Sequence, residues 1–345
     1  MNPMVEGLRG LAALLVVWAH WAVPLGWPGA LGAFAFTGVD LFFVLSGYVF
    51  APALLGAKFS IAAFALRRLM RIYPAYLLAL AVYVALAWHG GKALLYLPEH
   101  VLMLHLQSRE MTFYYNPVFW SLPSEVEFYL LLPCLAWAIR RGGLRVWAAC
   151  LVFALVLRLL LMYQADWATQ NHAYLAIHHL PGLLVEFFFG VLVYQHARAG
   201  TATRVAPWLW VTAGGLVWSA LATLFVWLEA SSSTKGWVNG QLSLGAALAF
   251  ALMLRGLESL RPSGAWKIFF LTWLGRLSYG VYLLHTAWLG PAQWLSGQVG
   301  VFWASLMALG ALLMSAWLLH VTWEEPARRL GRIWARKLCS EPTMG

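Results

Sequence analysis

Charged residues are scarce in this chain of 345 residues, because Asp, Glu, Lys and Arg together make up only 10% of it. Soluble domains carry about 25% charged residues, whereas hydrophobic residues reach 62% here. This composition excludes an ordinary soluble domain and indicates an integral membrane protein. The 21 tryptophans and 13 tyrosines agree with it, because amphipathic rings collect at the two membrane interfaces.

Cysteine is nearly absent as well, with Cys134, Cys150 and Cys339 as the three in the chain. Their number and scatter exclude a disulfide framework and a zinc site, and we expect them to fill space in packed regions. No linker or charge run divides the sequence. We therefore predict one membrane domain over residues 1–325 and a basic cytoplasmic tail at 326–345. The first apolar run resembles a signal peptide, but equally apolar segments follow, so we expect it to be retained.

Apolar runs of spanning length, about 20 residues each, predict an all-α fold, a polytopic bundle of about ten transmembrane helices. The runs lie roughly at 9–26, 36–55, 73–90, 118–138, 146–163, 178–196, 207–228, 238–254, 270–289 and 300–320. The segment 92–108 is more polar than these runs. We expect it to lie along the outer surface or to re-enter the membrane.

The basic residues predict that both termini are cytoplasmic. With that orientation, 17 of the 23 Lys and Arg residues fall in cytoplasmic segments, three fall outside, and three lie in or beside spans. This is the asymmetry of the positive-inside rule, and it explains the net charge of +10 without nucleic acid. The cytoplasmic set is Lys58, Arg67, Arg68, Arg71, Arg140, Arg141, Arg145, Arg198, Arg204, Arg255, Arg261, Lys267, Arg328, Arg329, Arg332, Arg336 and Lys337; the outer set is Lys92, Arg109 and Lys235.

The stretch EGLRGLAALLVVWAH, residues 6–20, places two polar side chains in the first span. Eleven residues of helix return to within about 20° of the start, so Arg9 and His20 share one face, about 16 Å apart along the axis. Polar residues in spans usually face the bundle interior and mark sites or pathways. Arg9 fits snorkelling to the inner interface equally well, and His20 also fits a buried histidine with a satisfied hydrogen bond.

An arginine, ten residues and a histidine in the first helix resemble the signature of the membrane acyltransferase family three. Six further stretches resemble this family in the same order and extend the resemblance over nearly the whole chain. They are GVDLFFVLSGYVF at 38–50, RRLMRIYPAY at 67–76, WSLPSEVEFYLLLP at 120–133, FFFGVLVY at 187–194, LGRLSYGVYLLH at 274–285 and EEPARRL at 324–330.

The resemblance implies an O-acyltransferase of the bacterial inner membrane. Its donor would be cytoplasmic acyl-coenzyme A, most simply acetyl-coenzyme A, its acceptor a hydroxyl of an extracytoplasmic glycan, and no metal would take part. Two departures matter. Many similar proteins have two consecutive glutamates where this chain has Glu125 followed by Val126, so that a role of the second is lost or passes to Glu127. The extracytoplasmic esterase-like domain of some relatives is also not expected here.

The resemblance and the residue chemistry together predict the site. His20 is the expected base or acyl relay, and Glu125 is expected to orient it, although Ser124 and Glu127 stand in capping-box spacing. The acyl donor would be held by Arg9, Arg67, Arg68, Arg71 and Tyr73, although the arginine cluster also fits a topological signal. The central cavity or acceptor site would include Asp40, Ser46, Trp120, Ser121, Tyr129, Tyr279, Tyr282 and His285.

The predicted layout has His20 and Glu125 towards the outer leaflet and the arginines inside. It therefore predicts a cavity that is wide at the cytoplasmic end and narrow at His20. Asp40 needs a partner, and Arg9 lies too far along the bundle to be the obvious one. Two other functions remain open: an acyltransferase that acts on a small cytosolic acceptor, and a transporter or channel whose path is lined by Arg9, His20 and Asp40.

Overall fold

The computed structural model describes residues 2–27, 30–56, 60–165, 172–199, 205–230, 236–260 and 264–340, and these residues are almost entirely helical. The α-helices in chain order are α1 (Pro3–Trp21), α2 (Gly38–Leu55), α3 (Ile61–His89), α4 (Leu97–Val101), α5 (Arg109–Thr112), α6 (Ser121–Gln164), α7 (His172–Ala176), α8 (Leu180–Arg198), α9 (Pro207–Ala230), α10 (Gly236–Ser259), α11 (Ala265–Leu284), α12 (Leu289–Val299), α13 (Val301–Leu319) and α14 (Glu325–Ser340). Two 3-10 segments, Ala30–Thr37 and His285–Trp288, and a π-helical turn, His320–Glu324, complete the described elements.

The helical fold follows from the apolar composition, because a chain in lipid must satisfy its backbone polar groups internally. Helix ends carry the expected caps. The Asn2 side chain accepts a hydrogen bond from the Met4 amide at 3.0 Å, and the Ser60 hydroxyl accepts one from the Ala63 amide at 3.2 Å. These caps satisfy amides that have no partner within the first turn of α1 and of α3.

Seven described helical segments are long and apolar enough to cross a membrane, which supports a multi-pass protein. They are Leu31–Leu55, Ile61–His89, Ser121–Gln164, His172–Arg198, Pro207–Glu229, Gly240–Ser259 and Val301–Leu338. The predicted spans at 118–138 and 146–163 fall within the single helix α6, which is kinked at Gly143, where φ is +60°. Helices α1 and α11 are outside this set of seven although both lie in predicted spans. The count of ten and the cytoplasmic placement of the termini therefore stay predictions.

Several basic residues used for the topology, Lys58, Arg204, Lys235 and Arg261, lie outside the described residues. The expectation that the cysteines pack inside is wrong for Cys134, which is exposed on the surface of α6. The predicted tail also has a defined structure as far as it is described. Residues up to Ser340 form α14, which packs along α3.

Helices α2 and α8 are in close contact at two glycines. A Cβ atom built on Gly47 would overlap the carbonyl oxygen of Phe187, and one built on Gly190 would overlap the carbonyl oxygen of Val44. Small residues allow such backbone approach in membrane bundles. Gly47 and Gly190 are therefore points of close helix packing, and they bring the middle of α2 against α8.

Replacement of Gly47 by alanine is therefore expected to lower the free energy of unfolding by about 1–3 kcal/mol, because the added methyl group has only backbone to displace. Gly310→Ala is the matched control, since nothing lies within 4 Å of a Cβ atom at that helical glycine. The control is expected to be neutral or to gain up to about 1 kcal/mol from helix propensity. Thermal unfolding in one detergent compares the two. Equal behaviour of both variants would contradict the close approach of α2 and α8.

The segment between α3 and α6 folds back along α3, and its position relative to the membrane stays a prediction. Tyr76 donates a hydrogen bond to the His100 carbonyl at 2.7 Å, and Tyr73 donates one to the Val101 carbonyl. Tyr76 precedes the end of α3 at His89 by 13 residues, or about 20 Å of helix. The segment is thus packed deep against α3.

Two histidines lie in the interior of this segment. The rings of His100 and His105 are stacked with centroids 4.1 Å apart, and neither residue is exposed. Burial lowers the pKa of His100 to about 4 and, together with the neighbouring His100, lowers the pKa of His105 to about 3. Both rings are therefore neutral in the folded segment at physiological pH.

Acidification is expected to weaken this segment. Because both pKa values lie below the unfolded value of about 6.5, the opened segment binds protons that the folded one does not, and stability falls as the pH decreases below 6.5. The loss is about 2 kcal/mol per histidine at pH 5. Hydrogen exchange of residues 97–119, corrected for intrinsic rates, measures it. The double variant His100→Gln/His105→Gln should lose this pH dependence, whereas His89→Gln, at the exposed end of α3, should keep it.

Candidate active site

A wide cavity of about 780 Å³ lies where α1, α3, α11 and α14 meet. Its defining feature is an excess of basic groups, six arginines against three glutamates. The arginines are Arg9, Arg71, Arg276, Arg328, Arg329 and Arg332, and the glutamates are Glu6, Glu324 and Glu325. Several are paired, for example Arg9 with Glu6 at 3.4 Å and Arg332 with Glu325 at 2.9 Å. The remaining positive charge suits an anionic ligand.

A narrow inner cavity of about 70 Å³ continues from the wide one. Both are lined by Arg9, Arg71, Ser278 and Tyr279. The structure brings nine of the predicted site residues together around the inner cavity: Arg9, Ser46, Arg68, Arg71, Ser121, Glu125, Tyr129, Tyr279 and Tyr282. The predicted narrowing at His20 is not observed, because His20 lines neither of these two cavities.

Glu125 is the carboxylate of the inner cavity. It accepts a hydrogen bond from the Ser46 hydroxyl at 3.1 Å and another from the Tyr129 hydroxyl. The charges of Arg9, Arg68 and Arg71 all act on it. One carboxylate against three guanidinium groups leaves net positive charge inside the bundle, where uncompensated charge is costly. The arrangement is therefore suited to receive a negatively charged group.

The predicted contact between Glu125 and His20 is absent, since the hydrogen bonds of Glu125 go to α2 and to its own helix. The prediction placed Glu125 at the outer end of a span, close to His20. In the structure, α6 packs beside α2 so that Glu125 meets Ser46, eight residues into that helix, in the same cavity as Arg9. Glu125 thus belongs to the arginine cluster.

His20 lies outside the inner cavity and packs against His285, with ring centroids 5.0 Å apart and planes at 63°. Its Nδ1 is 2.8 Å from the Val16 carbonyl oxygen. A carbonyl only accepts, so the neutral ring carries its proton on Nδ1 and presents the lone pair of Nε2. This is the tautomer that a general base needs.

Tyr282 and His285 form a layer between the inner cavity and His20. The Tyr282 hydroxyl donates to the Val118 carbonyl at 2.6 Å, so the Ser121 hydroxyl, also 2.6 Å away, donates to the tyrosine oxygen. His285 is fully buried and donates through Nδ1 to the Tyr282 carbonyl at 2.8 Å, while its Nε2 has no hydrogen-bond partner among the described residues. Three residues of α11 and its C-terminal end were predicted to line the cavity. Tyr279 and Tyr282 line the inner cavity, and His285 lies behind it.

Two predicted donor-binding residues, Arg67 and Tyr73, do not line the cavities that the other predicted donor-binding residues line. The residues of α3 that line the inner cavity are Arg68, Arg71 and Ile72, and Arg67 lines neither cavity. The Tyr73 hydroxyl is bonded to the Val101 carbonyl and so holds the segment between α3 and α6 against α3. The sequence could not separate these roles, because the direction of a side chain around α3 depends on where α3 packs.

Asp40 and Trp120 line a third cavity of about 350 Å³, which we call the acidic cavity. Its wall includes Val39, which also lines the inner cavity. Asp40 finds its expected partners in Ser243 and Arg158. Glu186 lies against the same arginine at 3.5 Å. Sequence reasoning missed this group, although a lone charge within an apolar run, as in GLLVEFFFG, is a signal that would have found Glu186.

The arginines of α11 and α14 were not predicted as site residues either. Arg328, Arg329 and Arg332 were assigned to the tail, but the π-helical turn His320–Glu324 leads into α14 and places them at the wide cavity. The available signal was the quoted EEPARRL stretch. Among the described residues, no group of three or more His, Cys, Asp or Glu is arranged to hold a metal ion.

Helices that cross the membrane around a cationic interior define this chain as a multi-pass membrane protein. A family model described as an acyltransferase domain matches residues 2–323, and the chain belongs to this family, the acyltransferase family three. No solved structure matches the chain.

Three similar proteins are informative. “Putative membrane-bound transacylase BcsY” of Komagataeibacter xylinus is 29% identical over 84% of this chain and 74% of its own length. “Nodulation protein 10” of Rhizobium leguminosarum bv. viciae is 27% identical over 78% of this chain and 76% of its own length. “Peptidoglycan O-acetyltransferase OatA” of Listeria monocytogenes is 29% identical over 38% of this chain and 23% of its own length.

Proposed function

We propose that the protein is a membrane O-acyltransferase that moves an acyl group, most simply acetyl, from acyl-coenzyme A to a hydroxyl of a glycan. The observation that carries the proposal is the arginine-lined wide cavity joined to the narrow inner cavity. Family membership supports acyl transfer. The names of two relatives, a membrane-bound transacylase and a peptidoglycan O-acetyltransferase, support a membrane reaction and a glycan acceptor.

The two cavities fit the two ends of the donor. Coenzyme A carries phosphates at its nucleotide end, and planar guanidinium groups bind phosphate through paired hydrogen bonds. The arginines that suit that end in the wide cavity are Arg71, Arg276, Arg328 and Arg332. The slender thioester arm suits the narrow inner cavity, where Arg9 and Arg71 continue the positive lining.

The direction of transfer follows from the distribution of basic residues in the sequence. The positive-inside rule places the arginine end of the bundle at the cytoplasm, where acyl-coenzyme A is available, and places His20 farther out along α1. The acceptor would then be extracytoplasmic and the protein would lie in the bacterial inner membrane. The lipid bilayer, the donor and the glycan are its proposed partners.

The chemistry requires a base, and His20 supplies one. The acceptor hydroxyl gives its proton to the free Nε2 of His20 as its oxygen attacks the thioester carbon. A carbon–oxygen bond forms, the carbon–sulfur bond breaks, and the proton passes from His20 to the leaving thiolate. An acyl-imidazole on His20 is an alternative route to the same products. Either route requires the Tyr282 side chain to turn away from the path between the inner cavity and His20.

The role proposed for Glu125 differs from the one expected from the sequence, which was to orient His20. Its contacts make it a positioning residue that holds Tyr129 and Ser46 and balances the arginine cluster, rather than a partner of His20.

The test is transfer of radioactive acetyl from acetyl-coenzyme A in sealed membrane vesicles of the source cell, which carry its own glycan. Inside-out vesicles, which expose the cytoplasmic face, should incorporate label into glycan when donor is added, and right-side-out vesicles should not. Transfer in right-side-out vesicles alone would reverse the proposed direction. Absence of transfer in both, with the protein present and folded, would refute the proposed function and favour a transport role.

A further inference from the structure

The acidic cavity is a separate, partly open space that shares the wall residue Val39 with the inner cavity. It lies near the beginnings of three helices, since Asp40 is in the first turn of α2, Trp120 precedes α6, and His178 precedes α8. Its volume of about 350 Å³ falls within the range of about 300–1,000 Å³ typical of small-molecule sites. His20 does not line it.

The polar wall of this cavity is buried and interconnected. Arg158, 2% exposed, donates to the Gly240 carbonyl at 3.2 Å and to the Ser243 hydroxyl at 3.0 Å. The Ser243 hydroxyl donates in turn to Oδ1 of Asp40 at 3.2 Å. Glu186 does not line the cavity but lies 3.5 Å from Arg158 behind this wall. A buried ionic group of this kind stabilises a fold weakly at best. Charged residues within membrane spans are costly and usually mark a functional site. Because stability does not explain this group, we interpret it as part of such a site.

This wall retains unused hydrogen-bonding capacity. The Nε of Arg158 is buried and has no hydrogen-bond partner among the described residues. Asp40 lies against Ser243 and Glu186, and a carboxylate still has lone pairs beyond these contacts. His178 is bonded through Nδ1 to the Tyr174 carbonyl at 3.0 Å, which leaves its Nε2 as an acceptor. Trp120, packed edge-on against His178 at 5.2 Å, adds an aromatic surface.

These groups match the chemistry of a sugar ring. A pyranose presents hydroxyls that both donate and accept, and apolar C–H faces that pack on aromatic rings. We infer that the acidic cavity binds a sugar ring of the glycan acceptor, an inference that rests on the proposed function. Because His20 is not in this cavity, the bound ring is a neighbour of the acylated one and positions the glycan. Asp40, Arg158 and Ser243 are then positioning residues.

Ser243→Ala tests the assignment, because it removes the hydroxyl that joins Arg158 to Asp40. In the inside-out vesicle assay, we expect transfer of acetyl to glycan to fall at least tenfold while the KM for acetyl-coenzyme A stays within twofold of wild type. Ser315→Ala is the matched control, since among the described residues that hydroxyl bonds only to the Ala311 carbonyl of its own helix. It should leave both quantities unchanged.

A second variant separates blocked binding from misfolding. Ser243→Cys, in a chain whose three native cysteines are replaced by serine, is treated after folding with methyl methanethiosulfonate. The added methylthio group should reduce transfer at least tenfold at unchanged KM for the donor, and dithiothreitol should restore it. Unchanged transfer after modification, or a matching rise in the donor KM, would overturn the assignment while the proposed function stands. A wild-type chain that transfers no acetyl would overturn the proposed function and the assignment together.

Discussion

His20→Ala is expected to lower acetyl transfer by about 10²–10⁴-fold, the usual contribution of a positioned general base. The reason is structural as well as chemical. The bond from Nδ1 to the Val16 carbonyl fixes the ring and leaves Nε2 free, and alanine removes that lone pair. Initial rates of label transfer from acetyl-coenzyme A to glycan in inside-out vesicles measure the effect.

The matched control for this prediction is His89→Ala, which removes an exposed histidine at the end of α3. It should transfer acetyl at the wild-type rate. A His20→Ala protein that unfolds at the wild-type temperature and still transfers acetyl at more than half the wild-type rate would remove His20 from the mechanism. In that case the buried, unpaired Nε2 of His285 is the next base to test.

Arg71→Ala is expected to lower kcat/KM for acetyl-coenzyme A by about 30-fold or more, with most of the loss in KM. Arg71 lines both the wide and the inner cavity, and a hydrogen bond to a charged group contributes about 1.5–3 kcal/mol. At about 1.4 kcal/mol per factor of ten, one or two such bonds account for the expected loss. Steady-state kinetics with varied donor measure it.

The chain offers a close control in Arg67→Ala, one turn earlier on the same helix and outside both cavities. It should leave the donor KM unchanged. Acetyl-pantetheine lacks the nucleotide and its phosphates and gives a second comparison. The loss of kcat/KM caused by Arg71→Ala should be much smaller with acetyl-pantetheine than with acetyl-coenzyme A. If Arg67→Ala and Arg71→Ala behave alike with both donors, the arginine cluster acts only as a topological signal.

The helical architecture and most residues of the inner cavity could be predicted from the sequence for two reasons. Apolar runs indicate directly which segments lie in lipid, and the resemblance identified Arg9, Arg68, Arg71 and Glu125 as candidate site residues. What neither source supplied was the rotation of each helix about its axis. Arg67 and Arg68 are neighbours in sequence, yet only Arg68 lines the cavity, because α3 packs with that face inward.

Contacts between distant helices were equally beyond the sequence. The expected link from Glu125 to His20 required α6 and α1 to meet at one depth, but the close packing of α2 places Glu125 against Ser46. The partner of Asp40 was expected but could not be named, because Arg158 is 118 positions further along the chain. Such pairs depend on bundle order, which apolar runs do not encode.

Val39 lines both the inner cavity and the acidic cavity, and that shared position has a consequence for the membrane itself. Val39 belongs to the wall between the two spaces, together with Phe43 and Trp120, whose ring centroids lie 6.2 Å apart. If water fills both spaces, part of the membrane voltage falls across this wall. Under the proposed function, an apolar residue at position 39 then limits the passage of ions along the path of the acyl group.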